Sequence, residues 1–185
     1  MQRVVVVGSS GSGKTTVAAA LAQTLGVKHV EMDALHHGPN WTEASADELR
    51  AAATRELAGQ DGWIVDGNYS GKLGDFVLLQ ADTVVWLDLP LRTCLVRLWH
   101  RTLHRVRNDV ELWSGNRETW RGAFWGRESL FWWTIRHHAA RRRRWPDRFA
   151  RLPNLRVIRL RTPAEVDVLL ATPVASRRRG GSPRR

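Results

Sequence analysis

Long apolar runs are missing from this chain. Stretches such as Val4 to Val7 and Thr83 to Leu87 fall far short of the roughly 20 residues that cross a bilayer, so a soluble protein without membrane association is expected. Cysteine is nearly missing as well. Cys94 stands alone, which excludes an internal disulfide, a cysteine-based zinc site and a paired-thiol redox motif, and reads as a small packing residue. Met1-Gln2-Arg3 leads at once into a strand-like run, leaving no room for the charged, apolar and cleavage regions of a secretory signal. A cytoplasmic location is expected. No internal repeat is visible, and 185 residues suit one α/β domain but not two with linkers.

Negative charge is scarce in the second half of the chain. The formal net charge is +11, yet residues 1–91 hold six Lys/Arg against eleven Asp/Glu, whereas residues 92–148 hold fourteen against five. The positive charge is therefore regional, which speaks against a uniformly basic binding face. Ser176 to Arg185 carries five arginines, two glycines and one proline without an apolar side chain. Such a segment cannot bury enough surface to offset the entropy of ordering it, so a disordered basic tail is expected after a domain spanning residues 1–175.

Val4 to Val7 is a short β-branched run that ends at Gly8, the pattern of a parallel strand covered on both faces. Val17, Leu21 and Leu25 recur at four-residue spacing before Gly26, which predicts a helix over 14–25 with a glycine stop. A second strand is expected over Val27 to Asp33, and Ser45 with Glu48 forms a capping box that opens a helix running to Ala58. Trp63 to Asp66, Thr83 to Asp88 and Leu155 to Leu160 read as the remaining strands. Five strands alternating with helices predict an α/β fold, a five-stranded parallel sheet with helices on both faces. Residues 91–145 are strand-free and hold seven of the ten tryptophans. They read either as a helical lid insertion or as a helical bundle packing its tryptophans on the sheet, and spacing alone does not separate the two.

The chemistry concentrates in Gly8-Ser9-Ser10-Gly11-Ser12-Gly13-Lys14-Thr15, followed by Thr16. A strand before and a helix after this spacing define a P-loop: glycines let the backbone wrap so that N–H groups and the helix N-terminus face phosphates, Lys14 reaches the β/γ oxygens and the Thr15 hydroxyl binds Mg²⁺. ATP and Mg²⁺ are the expected cofactors. A second carboxylate for the metal is expected at a neighbouring strand end. Asp66, followed by Gly67, is favoured over Asp88, which reads as a strand-end or helix-cap residue.

With these residues, and with Met32 to Trp41, Trp63 to Ser70, Ala81 to Pro90 and Arg159 to Val166, the chain resembles the adenylate-kinase-like P-loop kinases. It is similar above all to their topology modulation protein branch, and also to gluconate and shikimate kinases. The resemblance covers most of residues 1–170 and implies an ATP-dependent kinase acting on a small-molecule or nucleotide acceptor. It also implies that Asp33 binds the acceptor and takes its proton, that Gly67, Asn68 and Tyr69 line the acceptor pocket, and that the turn at Arg161 contacts adenine. The guanine-reading Asn-Lys-x-Asp motif is missing, which favours ATP as donor. Where adenylate kinases carry Pro-Arg after the Asp-Gly pair, this chain has Asn68-Tyr69-Ser70, which speaks against AMP as acceptor; the glycine-rich acceptor motif typical of shikimate kinases is missing too.

Physics supports the role of Asp33 independently, because a carboxylate facing the phosphates orients a hydroxyl nucleophile and accepts its proton. His36 and His37 follow in a polar loop and read as acceptor contacts, with metal ligation as the alternative. Arg97, Arg101 and Arg105 form a stripe at four-residue spacing. Arg101 and Arg105 are the leading candidates to neutralise the migrating phosphate, ahead of Arg117 and Arg121, and a solvated basic face is the competing reading. Arg141 to Arg144 read as surface. From a different class comes an alternative function, a nucleic-acid-associated ATP-binding protein or polynucleotide-end kinase that uses residues 92–148 and the arginine tail.

Overall fold

The computed structural model describes residues 1–124 and 129–172; the basic tail expected at 176–185 lies outside the described residues. Five parallel strands, β1 (Arg3–Gly8), β2 (Lys28–Glu31), β3 (Trp63–Asp66), β4 (Thr83–Leu87) and β5 (Arg156–Leu160), form one sheet in the order β2-β3-β1-β4-β5. The valines of β1 explain its continuous apolar run. Val4 and Val6 enter one buried cluster, and Val5 and Val7 enter another on the opposite face, as period-two geometry requires of a strand covered on both sides.

Helix α1 (Lys14–Leu25) lays Val17, Ala18, Leu21 and Ala22 on the first of these faces and ends at Gly26 in the left-handed conformation. The opposite face is covered by α3 (Ala46–Leu57), opened by the Ser45/Glu48 capping box, through Leu49, Ala53 and Leu57. One expected boundary is corrected. The second strand stops at Glu31, and Met32–His36 forms a short helix, α2, whose Met32 is buried in the core and whose last turn is closed by the His37 N–H donating to the Asp33 carbonyl. Asp33 thus sits in the first turn of α2, just past the strand end. A second short helix, α4 (Ser70–Leu73), follows β3.

The chain leaves β1 toward β2 on one side and leaves β4 toward β5 on the other. A crevice therefore opens at the carboxyl ends of β1 and β4, where open parallel sheets bind ligands. Between β4 and β5 lie α5 (Leu91–Arg107), α6 (Trp120–Phe124) and α7 (Leu130–Ala150), and α8 (Pro163–Ala171) closes the described fold. The described tryptophans of this region do not form one cluster. Trp145, with Phe149, packs edge-on against Trp86 of β4 at 5.5 Å between ring centroids and joins the core. Trp99 and Trp120 instead gather with Phe124 and Phe131 away from the sheet and are nearly half exposed. Cys94 is buried in α5 as a packing residue. No helix among the described residues is long and apolar enough to cross a membrane.

Candidate nucleotide and phosphoryl-transfer site

The loop after β1 is shaped by two glycines that no other residue replaces without strain. Gly11 has φ +77°, and a Cβ there would stand 2.1 Å from the carbonyl oxygen of Cys94, because the loop rests on the first turns of α5. Gly13 has φ +92° and caps α1, a conformation that side-chain-bearing residues adopt only at a cost. The entry to the loop is pinned by Asn68, whose Oδ1 accepts from the Gly8 N–H at 3.3 Å and whose Nδ2 donates to the Gly8 carbonyl at 2.5 Å. Within the loop, the Ser12 N–H and the Lys14 ammonium both donate to the Ser9 carbonyl, at 3.0 and 3.2 Å.

Two carboxylates approach this loop from neighbouring strand ends. Asp66, buried at the end of β3, accepts from the Thr15 hydroxyl at 2.6 Å through Oδ2, while His29 Nε2 lies 3.3 Å from its Oδ1. Asp33 accepts from the Tyr69 hydroxyl at 2.5 Å. Burial, followed by the charge of Asp33, raises the Tyr69 pKa, so the phenol keeps its proton and donates. Desolvation lowers the pKa of Lys14, and the charges of Asp33 and Asp66 oppose that shift. Lysine and both carboxylates therefore share one electrostatic neighbourhood, with the hydroxyl and carboxylate oxygens that hard divalent cations prefer.

Arginines complete the site from the helical region. Arg101 of α5 is half-buried; desolvation lowers its pKa first and the Arg105 charge second, and its Nε has no hydrogen-bond partner among the described residues. The cation of Arg101 acts on Lys14, and so does that of Arg141. Arg141 is not the surface residue its basic run suggests. Desolvation draws its pKa down to about 10, its guanidinium stacks 4.2 Å over Trp133, and one of its nitrogens is buried without a partner among the described residues. Arg97 donates to the Ser12 carbonyl at 3.3 Å.

Several expected residues stand elsewhere or are otherwise engaged. Arg105 donates to Glu118 at 2.7 Å, and Arg117 pairs with Asp109 and Glu111 on the surface. Arg161 is exposed at the end of β5, where its backbone N–H donates to Glu165 at the start of α8. Asp88 caps no helix: it is buried and bonded by Arg159 at 2.6 and 2.9 Å, with Arg142 Nε 2.8 Å from its other oxygen. His36 is buried against Tyr69 and lies 3.4 Å from Glu43; burial, then Lys72 and His37, lowers its pKa. Sequence reading gave no role to His29 beside Asp66, to Asn116, whose side chain bonds Trp41 and Gly38, or to His138, 2.9 Å from the Ser9 hydroxyl, and it placed Arg141 on the surface. A signal for His138 existed, because Thr134, His138, Trp145 and Phe149 share the buried face of α7.

A sharp loop between strand and helix, a lysine at its end and carboxylates at the adjoining strand ends define a P-loop phosphotransferase. Comparisons with known proteins agree. Residues 4–62 match the model of the ATPase family associated with various cellular activities (AAA). A shikimate kinase from Sulfurihydrogenibium sp. (strain YO3AOP1) is 32% identical over 111 residues, 53% of this chain and 67% of that protein. Among solved structures, a gluconokinase from Sinorhizobium meliloti 1021 superposes with a TM-score of 0.51 at 20% identity, covering 92% of this chain and 91% of the other. A deoxyadenosine kinase from M. mycoides with bound dATP superposes with a TM-score of 0.53 at 12% identity, covering 90% and 96%. The chain belongs to the adenylate-kinase-like P-loop kinase family, and it is an ATP-dependent kinase of small molecules or nucleotides.

Proposed function

We propose that this chain transfers the γ-phosphoryl group of ATP to a hydroxyl or phosphate oxygen of a small acceptor held beside Asp33. The observation that carries this reading is the convergence of Lys14, Thr15, Asp66 and Asp33 on one loop, with Thr15 bonded to Asp66 at 2.6 Å. Residues Gly8, Ser9, Ser10, Gly11, Ser12, Gly13 and Thr16 would hold the phosphates through backbone N–H groups, and Lys14 would neutralise charge on the β/γ oxygens. Thr15 and Asp66, bonded to each other at 2.6 Å, would hold Mg²⁺, which would offset the negative charge of the phosphates.

On the acceptor side, Tyr69 occupies Oδ1 of Asp33, so the acceptor hydroxyl is assigned to Oδ2, where the carboxylate orients it and takes its proton as the new P–O bond forms. His36, Gly67 and Asn68 would form the wall of that pocket. Arg101 is assigned to the migrating phosphoryl group, and Arg141 takes the partner role for which sequence spacing favoured Arg105. Arg105, engaged by Glu118, would brace the α5–α6 connection, and Arg161 would stand at the adenine end. The half-burial of Arg101 and Arg141 also favours a kinase over a polynucleotide-binding face, which needs its cations in solvent.

The test is ATP turnover measured against a panel of hydroxylated metabolites and nucleoside monophosphates. Lys14→Ala is expected to lose on the order of 10²-fold in rate or more, the weight of a charged group at a phosphoryl-transfer site. Turnover in Lys14→Ala equal to wild type would falsify the assignment.

A further inference from the structure

One buried group next to the phosphate loop takes no part in the chemistry above. His138 lies on α7, 7% exposed, and its Nδ1 stands 2.9 Å from the hydroxyl of Ser9, 129 residues away in the chain. Its other ring nitrogen, Nε2, is buried without a hydrogen-bond partner among the described residues. Ser9 is itself 5% exposed and is the hub of the loop, since its carbonyl receives both the Lys14 ammonium and the Ser12 N–H. The residue before it, Gly8, is clamped on both backbone groups by Asn68. The first turn of the loop is thus held from two directions, by the β3 connection through Asn68 and by α7 through His138.

We propose that His138 is a positioning residue of the nucleotide site, which through its hydrogen bond to the Ser9 hydroxyl fixes the peptide whose carbonyl receives the Lys14 ammonium and couples α7 to the phosphate loop. This rests on the reading of the loop as the ATP site. A neutral imidazole suits the task, because it presents one accepting and one donating nitrogen. The surroundings favour that form. Burial first, then the cations of Arg142 and Arg141, lower the pKa of His138, and Asp88 alone pulls the other way, with Asp88 already engaged by Arg159. The same helix carries Arg141 toward Lys14 and Arg142 to Asp88. Loss of the Ser9 tether would therefore loosen the loop and the helix that supplies an arginine to it.

The test is binding of a non-hydrolysable ATP analogue, with Mg²⁺, by titration calorimetry on full-length wild type, Lys14→Ala, His138→Ala, His138→Asn, Ser9→Ala and the Ser9→Ala/His138→Ala double variant. Unfolding curves confirm that each is folded at the assay temperature. His138→Ala and Ser9→Ala are each expected to weaken binding about 10-fold, the loss of one positioned hydrogen bond. The double variant should be no weaker than either single one, because both remove the same interaction. His138→Asn, whose amide reaches the place of Nδ1, should recover to within about threefold of wild type. Additive losses in the double variant, or a His138→Asn protein as weak as His138→Ala, would overturn the proposal, since a packing role alone predicts both. Wild-type affinity in His138→Ala, with Lys14→Ala impaired, would overturn it and leave the kinase reading standing. No binding by wild type would end both.

Discussion

Replacing Asn116 by alanine would open a contact that joins two segments distant in the chain, beside α2. The segment after α2 turns through Asn40 and Trp41, both at positive φ, and the segment after α5 turns through Ser114 and Gly115 in the same way. Each is closed by an antiparallel bridge, His37 with Glu43 and Glu111 with Arg117. Asn116, 4% exposed, locks them together: its Oδ1 accepts from the Trp41 N–H at 2.8 Å, and its Nδ2 donates to the carbonyls of Gly38 and Trp113 at 2.9 and 2.8 Å. Alanine removes the two hydrogen bonds that cross between the segments. At about 1 kcal/mol net for each, local opening becomes easier by about 2 kcal/mol, or about 30-fold in the opening constant. The Ser114 hydroxyl to the His37 carbonyl and Trp113 Nε1 to Glu31 stay in place, so the segments loosen without separating. Hydrogen exchange read at the Trp41 amide should accelerate by about that factor, while affinity for an ATP analogue stays within twofold of wild type. Asn116→Asp keeps the acceptor for Trp41 and loses the donor to Gly38, and should fall between. Unchanged exchange at Trp41 in Asn116→Ala would refute the claim that this side chain holds the two segments together.

Asp33→Asn should retain ATP-analogue binding and lose transfer, because the amide keeps the shape and lacks the basicity; collapse of nucleotide affinity with transfer per bound ATP intact would move Asp33 to the nucleotide side. Arg141→Ala should lower kcat on the order of 10-fold or more, whereas Arg143→Ala, an exposed neighbour, should be silent; equal effects would return the run to the solvated face. Stability should fall as the pH drops below about 6.5, the unfolded histidine value. His36 and His138 are both buried with pKa values lowered from 6.5. Their contribution is therefore fully present above the unfolded value and lost as pH falls through the lower folded one. A urea midpoint flat from pH 7 to 5 would contradict this, and His138→Asn should remove part of the slope.

What the amino-acid sequence determined alone is what short-range physics dictates. The β-branched run of β1, the glycines that let the following loop turn, the helix stop at Gly26 and the Ser45/Glu48 box act over a few residues, and each appears where its residues stand. Alternation of strand and helix sufficed for a parallel sheet, because crossover handedness leaves few other arrangements. The end of β2 was less legible, since the turn into α2 is imposed by burial of Met32 and not by a breaker in the chain. Only the tertiary structure decided which charged and polar groups meet. Arginine spacing on α5 singled out Arg101 and Arg105 equally, yet Glu118 engages one and leaves the other beside Lys14. Arg141 reads as one of four identical residues until α7 packs Trp145 and Phe149 on Trp86 and turns it toward the loop. His138 and Ser9, or Asn116 and Trp41, carry no local mark of their partners. Hydrogen bonds between remote residues depend on the docking of whole elements within fractions of an ångström, which a pattern of residue types along one chain does not encode.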